Sequence, residues 1–319
     1  MTRFFSTKNR PVHLGPYPIE TLSYVDTVSL DEVPAFQQLN FKHTDMPHSI
    51  INAMGEYQAM MDAIRDGLVN KTKARIPADP LERANHLKAF GYFSDATRVT
   101  ICKLSEDAHL AKSYRNPDID RLAHDLRTRQ TKTLASGIDM IMAGLKESME
   151  APPASCAHHT HAIIFGFENL RPVRNQEPGT DWIQGAQHHR ASLRATETAV
   201  VLANYIRILG YDALAHTAST SDLDLNKLAV ASGMATVEGG KLVAPYMPDG
   251  FGLAAITTTL DLATDKPLAP AEQQSTLRSY GPKWWLGSST AKNALNRDPY
   301  KKRRYLDGPH PFETLKRVD

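Results

Sequence analysis

Long stretches with a three- and four-residue apolar repeat alternate along the chain with short runs of β-branched and aromatic residues. That pattern predicts few strands set between long helices. Residues 10–50 have many Pro and polar positions and little periodicity, so an extended arm with turns is expected there. From Ala53, the positions Met54, Tyr57, Met60, Met61, Ile64 and Leu68 recur at helical steps, with Gly67 near the end of the predicted helix. The two adjacent methionines read as adaptable core filler. Asp79-Pro80 opens a second helix, an N-cap followed by proline, with Leu81, Ala84, Leu87 and Lys88 along its face. Residues 98–104 read as a strand. Residues 117–149 read as a long helical stretch that Pro152-Pro153 ends. Residues 161–167 form a nearly continuous apolar run, which predicts a central strand. A strong helix follows over 188–209, stopped by Gly210, and then a strand over 212–217. Ser221 and Asp222 are candidate caps for a helix carrying Leu225, Leu228, Ala229 and Ala231, closed by Gly233. Residues 251–262 form a long β-rich segment.

Few strands between long helices favour an α+β layered structure over a doubly wound sheet. Gly-x-Gly occurs only at Gly250-Phe251-Gly252, which runs into a strand rather than out of one. It is therefore not a dinucleotide fingerprint. The organisation expected is an extended arm over 1–50, a module over 51–270, and a basic, aromatic tail over 271–319.

Composition narrows the classes. The 319 residues are 41% hydrophobic and 23% charged, ordinary globular values. A net charge of +2 gives no electrostatic case for nucleic acid or membrane as a partner. Cys102 and Cys156 are the two cysteines, too few for a four-cysteine zinc or iron–sulfur site. They read as reduced thiols, Cys102 buried and inert. The N-terminus has no apolar signal region, and the most apolar run, around 199–203, is far short of the ~18 residues of a membrane span. A cytoplasmic location is expected.

The two ends of the chain repeat each other. Gly15-Pro16-Tyr17-Pro18-Ile19-Glu20-Thr21-Leu22-Ser23-Tyr24-Val25-Asp26 matches residues 308–319 at Gly, Pro, Pro, Glu, Thr, Leu, Val and Asp, eight of twelve positions. Arg10 precedes the first copy, and Arg303 and Arg304 precede the second. The favoured expectation is that the chain is the first of two tandem modules and stops just inside the second. The other is a terminal tether used twice.

Several segments offer chemistry. His158, His159 and His161 lie beside Cys156, and alternation would put His159 and His161 on one strand face. No carboxylate follows at a diagnostic spacing, so a polar loop feeding a strand is preferred and no metal is expected. His188 and His189 read as solvated helix-start residues. Trp284 and Trp285 offer stacking surfaces, and Lys301-Lys302-Arg303-Arg304 reads as a solvated basic linker. The richest segment is a helix end with Tyr205, Arg207 and Tyr211, then a polar turn with His216, Thr217, Ser219, Thr220, Ser221 and Asp222. Such turns can present hydroxyls and backbone N–H groups to a large polar ligand.

Two stretches carry a family resemblance. Residues 199–213 (AVVLANYIRILGYDA) resemble the helix-then-strand segment that precedes the corrinoid-binding strands of cobalamin-dependent reductive dehalogenases. Leu228-Ala229-Val230-Ala231-Ser232-Gly233, then Gly240-Lys241-Leu242-Val243, then 251–267 with Asp265-Lys266-Pro267-Leu268 at the end, resemble that family's later run. Residues 15–104 resemble the opening of its cytosolic, catabolic branch, whose chains carry two such modules in tandem. The resemblance implies a nitroreductase-like fold related to cobalamin-processing proteins, and removal of halide from organohalides at cobalt. In the family, Asp-x-Pro-Leu leads into a C-x-x-C-x-x-C-x-x-x-C-P segment; here Ala269-Pro270-Ala271-Glu272-Gln273-Gln274 follows. No iron–sulfur cluster is therefore expected from this chain, and no catalytic Tyr or Lys is assigned.

The reading is an N-terminal, cobalamin-binding-like module. Tyr205, His216, Thr217, Ser219, Ser221 and Asp222 are the expected corrinoid contacts. An iron–sulfur-containing catalytic module or subunit and an electron-donor reductase or ferredoxin are the expected partners. The alternative is a degenerate scaffold that packs on a catalytic partner through Trp284, Trp285 and the tail. A third reading is a stand-alone corrinoid or flavin binder.

Overall fold

The computed structural model describes residues 10–128, 155–169, 173, 177–270 and 273. In chain order its elements are α1 (Ile50–Ala63), α2 (Pro80–Phe93), β1 (Arg98–Lys103), β2 (His109–Tyr114), α3 (Asp118–Thr128), β3 (His161–Glu168), α4 (Gln187–Ile208), β4 (Ala213–His216), β5 (Ser221–Leu223), α5 (Leu225–Ala231), β6 (Thr236–Glu238), β7 (Lys241–Val243) and β8 (Phe251–Thr258). Residues 10–49 run mostly without regular structure, with two short 3-10 turns. The predicted helix beyond Thr128, Trp284, Trp285, the 301–304 basic run and the second copy of the repeat lie outside the described residues.

A four-stranded antiparallel sheet in the order β1-β3-β8-β4 organises the module. Its strands alternate side chains between two cores. One face carries Val99, Ile101, Ile163, Phe165 and Ile256 and packs with residues of α2 and α4. The other carries Cys102, Ala162, Ile164, Leu253 and Ala255 and packs with residues of α5. Burial on both faces explains why β3 has no polar alternation and why it sits inside the sheet. The antiparallel sheet with helices on its faces agrees with the α+β expectation. No helix among the described residues is long and apolar enough to cross a membrane.

The packing of α4 on β8 is unusually close. Ala191, Ala195, Ala199 and Ala203 recur at four-residue steps and are fully buried. They let the helix backbone descend onto Gly252, where an added Cβ would collide with the backbone of Ala191 and Ser192. Small residues on both partners are what this approach requires.

Both outer strands are held by non-strand groups. The Tyr92 hydroxyl accepts from Val99 N, and Asp265 accepts from Ile101 N while its own N–H donates to Ile101 O. On β4, Arg65 O accepts from Ala215 N, the Arg65 guanidinium donates to Ala215 O, and Arg207 donates to Ala213 O.

Four local expectations change. The first helix stops at Ala63, with Leu68 exposed beyond it. Its buried face is Ile51, Gly55, Gln58, Ala59, Asp62 and Ala63, while Tyr57 and Met60 face solvent and Met61 alone of the pair packs on the core. Gly55 allows the helix to touch the backbone of Phe41, and the polar groups described below draw Gln58 and Asp62 inward. Ser221 belongs to β5, and α5 is capped instead by Asp224, whose carboxylate accepts from Asn226 N and Lys227 N. The strand over 251–262 ends at Thr258. The β2–β5 pair and the β6–β7 hairpin, turned by Gly239 and Gly240 at positive φ, were not anticipated.

Gly252→Ala is expected to destabilise the protein by about 1–3 kcal/mol through overpacking between α4 and β8. Chemical denaturation against the parent protein measures this, and an unchanged midpoint would contradict the close approach.

Candidate functional site

The turn between β4 and β5 folds around one buried carboxylate. Asp62 Oδ1 accepts from Thr217 Oγ1 at 2.6 Å and Gln58 Nε2 at 3.0 Å. Its Oδ2 accepts from Ser219 Oγ at 2.5 Å and Asn116 Nδ2 at 2.9 Å. Gln58 also donates to Thr196 on α4 and to Ser219 Oγ. Burial pushes the Asp62 carboxyl above its ordinary range, and the four hydrogen bonds oppose that. Within the turn, Thr217 Oγ1 accepts from Ser219 N and Thr220 N, and Thr220 Oγ1 accepts from Asn116 N. The arm lies over this turn: Leu39 N donates to Ala218 O and Gln38 Nε2 to Ser219 O.

A second polar group continues from it. Arg65 pairs with Asp222 at 3.0 Å. Burial pushes Asp222 up, but the Arg65 charge outweighs it and holds the carboxyl below its ordinary range. Burial, reinforced by Arg65, pushes His216 down to about 3, so its ring is neutral. His216 Nε2 shares a hydrogen bond of 3.0 Å with Thr257 Oγ1, and Thr257 Oγ1 shares one of 2.7 Å with His159 Nδ1. Cys156 places its thiol with His216 and Asp222, their ligand-type atoms all within 4.8 Å of one another. His158, His159 and Asp212 form a second such group nearer the surface.

The structure thus brings together His216, Thr217, Ser219, Ser221 and Asp222, with all but Asp222 fully buried. Tyr205 is not among them: it is 50% exposed on α4. Their polar atoms face inward, so the picture of a turn presenting free hydroxyls changes. Asp62, Gln58 and Arg65 on or beside α1 are the partners that sequence reading missed. The histidine pairing changes too. His159 and His161 diverge, towards Asp212 and Asp261 respectively, and His158 joins His159 instead. His189 is half-buried, donates to Asn40 O at 3.0 Å and meets Phe41 edge-on, so the start of α4 packs on the arm rather than standing in solvent. Cys102 and Cys156 are buried free thiols, and burial pushes Cys102 up to about 12, as an inert thiol requires.

Glu168, at the end of β3, is a further perturbed group. Burial, helped by Asp249 and opposed by Arg190, pushes its carboxyl up to about 7. Its only sequence signal is a glutamate closing a nearly continuous apolar run.

Two tests follow from these groups. Asp62→Ala removes the acceptor that four donors share and is expected to cost about 3 kcal/mol or more, read from the urea midpoint. For Glu168, the folded chain keeps a proton between about pH 4.5 and 7 that the unfolded chain has released. Its contribution to stability therefore falls as pH rises through that window, by roughly 2–3 kcal/mol, and is flat above it. Glu168→Gln should abolish that fall when unfolding is compared at pH 5 and pH 8.

No family model and no curated protein matches the sequence. Solved structures do. Catabolic reductive dehalogenase NpRdhA matches with a TM-score of 0.68 and 30% identity over 99% of this chain. Its complex with 3-bromo-4-hydroxybenzoic acid matches with the same TM-score and 31% identity. A reductive dehalogenase structure described as suggesting a mechanism for B12-dependent dehalogenation matches at 0.68 and 30%, again over 99% of this chain. The chain spans 39% of the length of the first two and 38% of the third. Over nearly its whole length, the chain is a sequence and structural relative of the catabolic reductive dehalogenases.

Proposed function

We propose that this chain is a scaffold module of a reductive dehalogenase system, with a nitroreductase-like, cobalamin-processing-like layered fold. It packs against a module or subunit that carries cobalamin and iron–sulfur centres, fed by a reductase or ferredoxin, which removes halide from organohalides. The observation that carries the scaffold role is the inward-facing turn. Of the residues read as corrinoid contacts, His216, Thr217, Ser219 and Asp222 direct their polar atoms to Thr257, Asp62, Gln58 and Arg65, and the arm covers the turn. They do not fit a corrinoid as that expectation required, and no reaction step is assigned to them.

The tandem arrangement is supported by what the first copy of the repeat does. Gly15, at positive φ, sits against the Tyr92 ring, and Glu20 pairs with Arg10 at 2.6 Å. Thr21 Oγ1 donates to Pro18 O, and Leu22 is buried. Val25 N donates to Pro267 O, and Asp26 pairs with Lys266. Arg10 stands five residues before Gly15, as Arg303 stands five residues before Gly308. A segment whose repeated residues seat an arm on a module suits the start of a second module.

A second reading, corrinoid binding elsewhere on the module, is favoured by the B12-dependent relative. Titration of the purified chain with hydroxocobalamin, followed by gel filtration and the visible spectrum, decides between them. No retained corrinoid is expected. A stoichiometric corrinoid band eluting with the protein would overturn the scaffold reading.

A further inference from the structure

We infer that His158, His159 and Asp212 form a binding site for a zinc-class divalent ion, independent of the dehalogenase reading. His158 Nε2 donates to Asp212 Oδ2 at 2.7 Å, a hydrogen bond whose proton an arriving ion displaces, and His159 Nε2 lies 3.4 Å from the same oxygen. The two imidazoles meet edge-on, with ring centroids 4.6 Å apart. An ion bound at ~2.0–2.1 Å in tetrahedral geometry holds its ligand atoms about 3.4 Å apart. The His159 spacing already meets this, and the His158 spacing needs to open by about 0.7 Å, a small motion for an exposed side chain.

The second observation is an orphaned nitrogen. The His159 side chain is 1% exposed, and its Nε2 is buried with no well-aligned hydrogen bond, its polar neighbour being Asp212 Oδ2 at 3.4 Å. Buried ring nitrogens are ordinarily paired. Its other nitrogen is held at 2.7 Å by Thr257 Oγ1. Ion binding requires the tautomer in which His159 Nδ1–H donates to that hydroxyl, which leaves the Nε2 lone pair to the ion. Thr257 can accept from His159 and His216 together, because a hydroxyl oxygen has two acceptor positions.

Charge and access agree. Asp212 brings a carboxylate, the charged ligand of the three, beside the two imidazoles. Asp212 and His158 side chains are 34% and 55% exposed, which leaves an approach for the ion and a fourth position for water. Two imidazoles and one carboxylate suit zinc and its transition-metal neighbours rather than magnesium or calcium. The other group of ligand types, Cys156, His216 and Asp222, is a poor cation site because the Arg65 guanidinium lies 3.0 Å from its carboxylate. Bound at His158, His159 and Asp212, the ion would clamp the segment leading into β3 to the start of β4.

Calorimetric titration of untagged, chelator-treated protein with zinc chloride tests the site. One equivalent with micromolar or tighter affinity is expected. His158→Ala and Asp212→Asn should each weaken it at least tenfold, while His86→Ala on the exposed face of α2 leaves it unchanged. Cobalt(II) in place of zinc should give a tetrahedral or five-coordinate visible spectrum without a thiolate charge-transfer band. Weak binding of many equivalents, binding that survives both variants, or a thiolate band reporting Cys156 would each overturn the assignment.

Discussion

A carboxylate cut off from water must find donors inside the protein, and Asp62 finds four. Leaving even one such buried polar group unpaired costs of the order of 1–3 kcal/mol. The donors come from α1 itself, from the approach to α3 and from the β4–β5 turn. Gln58 extends the same knot to Thr196 on α4. The rotation of α1, the inward set of the turn and the docking of the arm over it are parts of one solution. Displacing any one element strands donors or acceptors belonging to the others.

This knot also marks where sequence reading ends. The helices over 80–93 and 187–208 and the central place of β3 are local in origin. Caps, period and continuous apolar runs announce them. The face of α1 is not local. Apolar positions at helical spacing point to Met54, Tyr57 and Met60, whereas the interior receives Gln58 and Asp62. Their partners Thr196, Thr217 and Ser219 lie 138 to 161 residues away. Nothing in a window of one or two turns can report such a partner. The turn itself is ambiguous for the same reason: hydroxyl residues that hold a ligand and hydroxyl residues that hold a buried carboxylate are the same residue types. The convergence of His158 and His159 on Asp212 likewise depends on which residues of β3 and β4 align along β8, a register set by the whole sheet.

The motifs that carry the family resemblance have architectural work in this chain. Asp265 binds Lys88 and the backbone of Ile101, Lys266 binds Asp26, and Leu268 pairs with Tyr24. Lys266 O also lies where only a glycine at 233 can pass. Gly210 is likewise hemmed by the backbone of Thr72 and Lys73 at positive φ. Such residues identify a fold by the contacts the fold needs. They are informative about ancestry and say little about which module holds the reacting centre.

The groups that hold β1 and β4 have one more effect. A sheet edge normally shows a row of unpaired amides and carbonyls, a template for another strand. Here Val99 and Ile101 on one side, and Ala213 and Ala215 on the other, already have Tyr92, Asp265, Arg65 and Arg207 in the places where a neighbouring strand would bond. Among the described residues the central sheet has four strands. At these positions a further strand would have to displace the groups already bonded there.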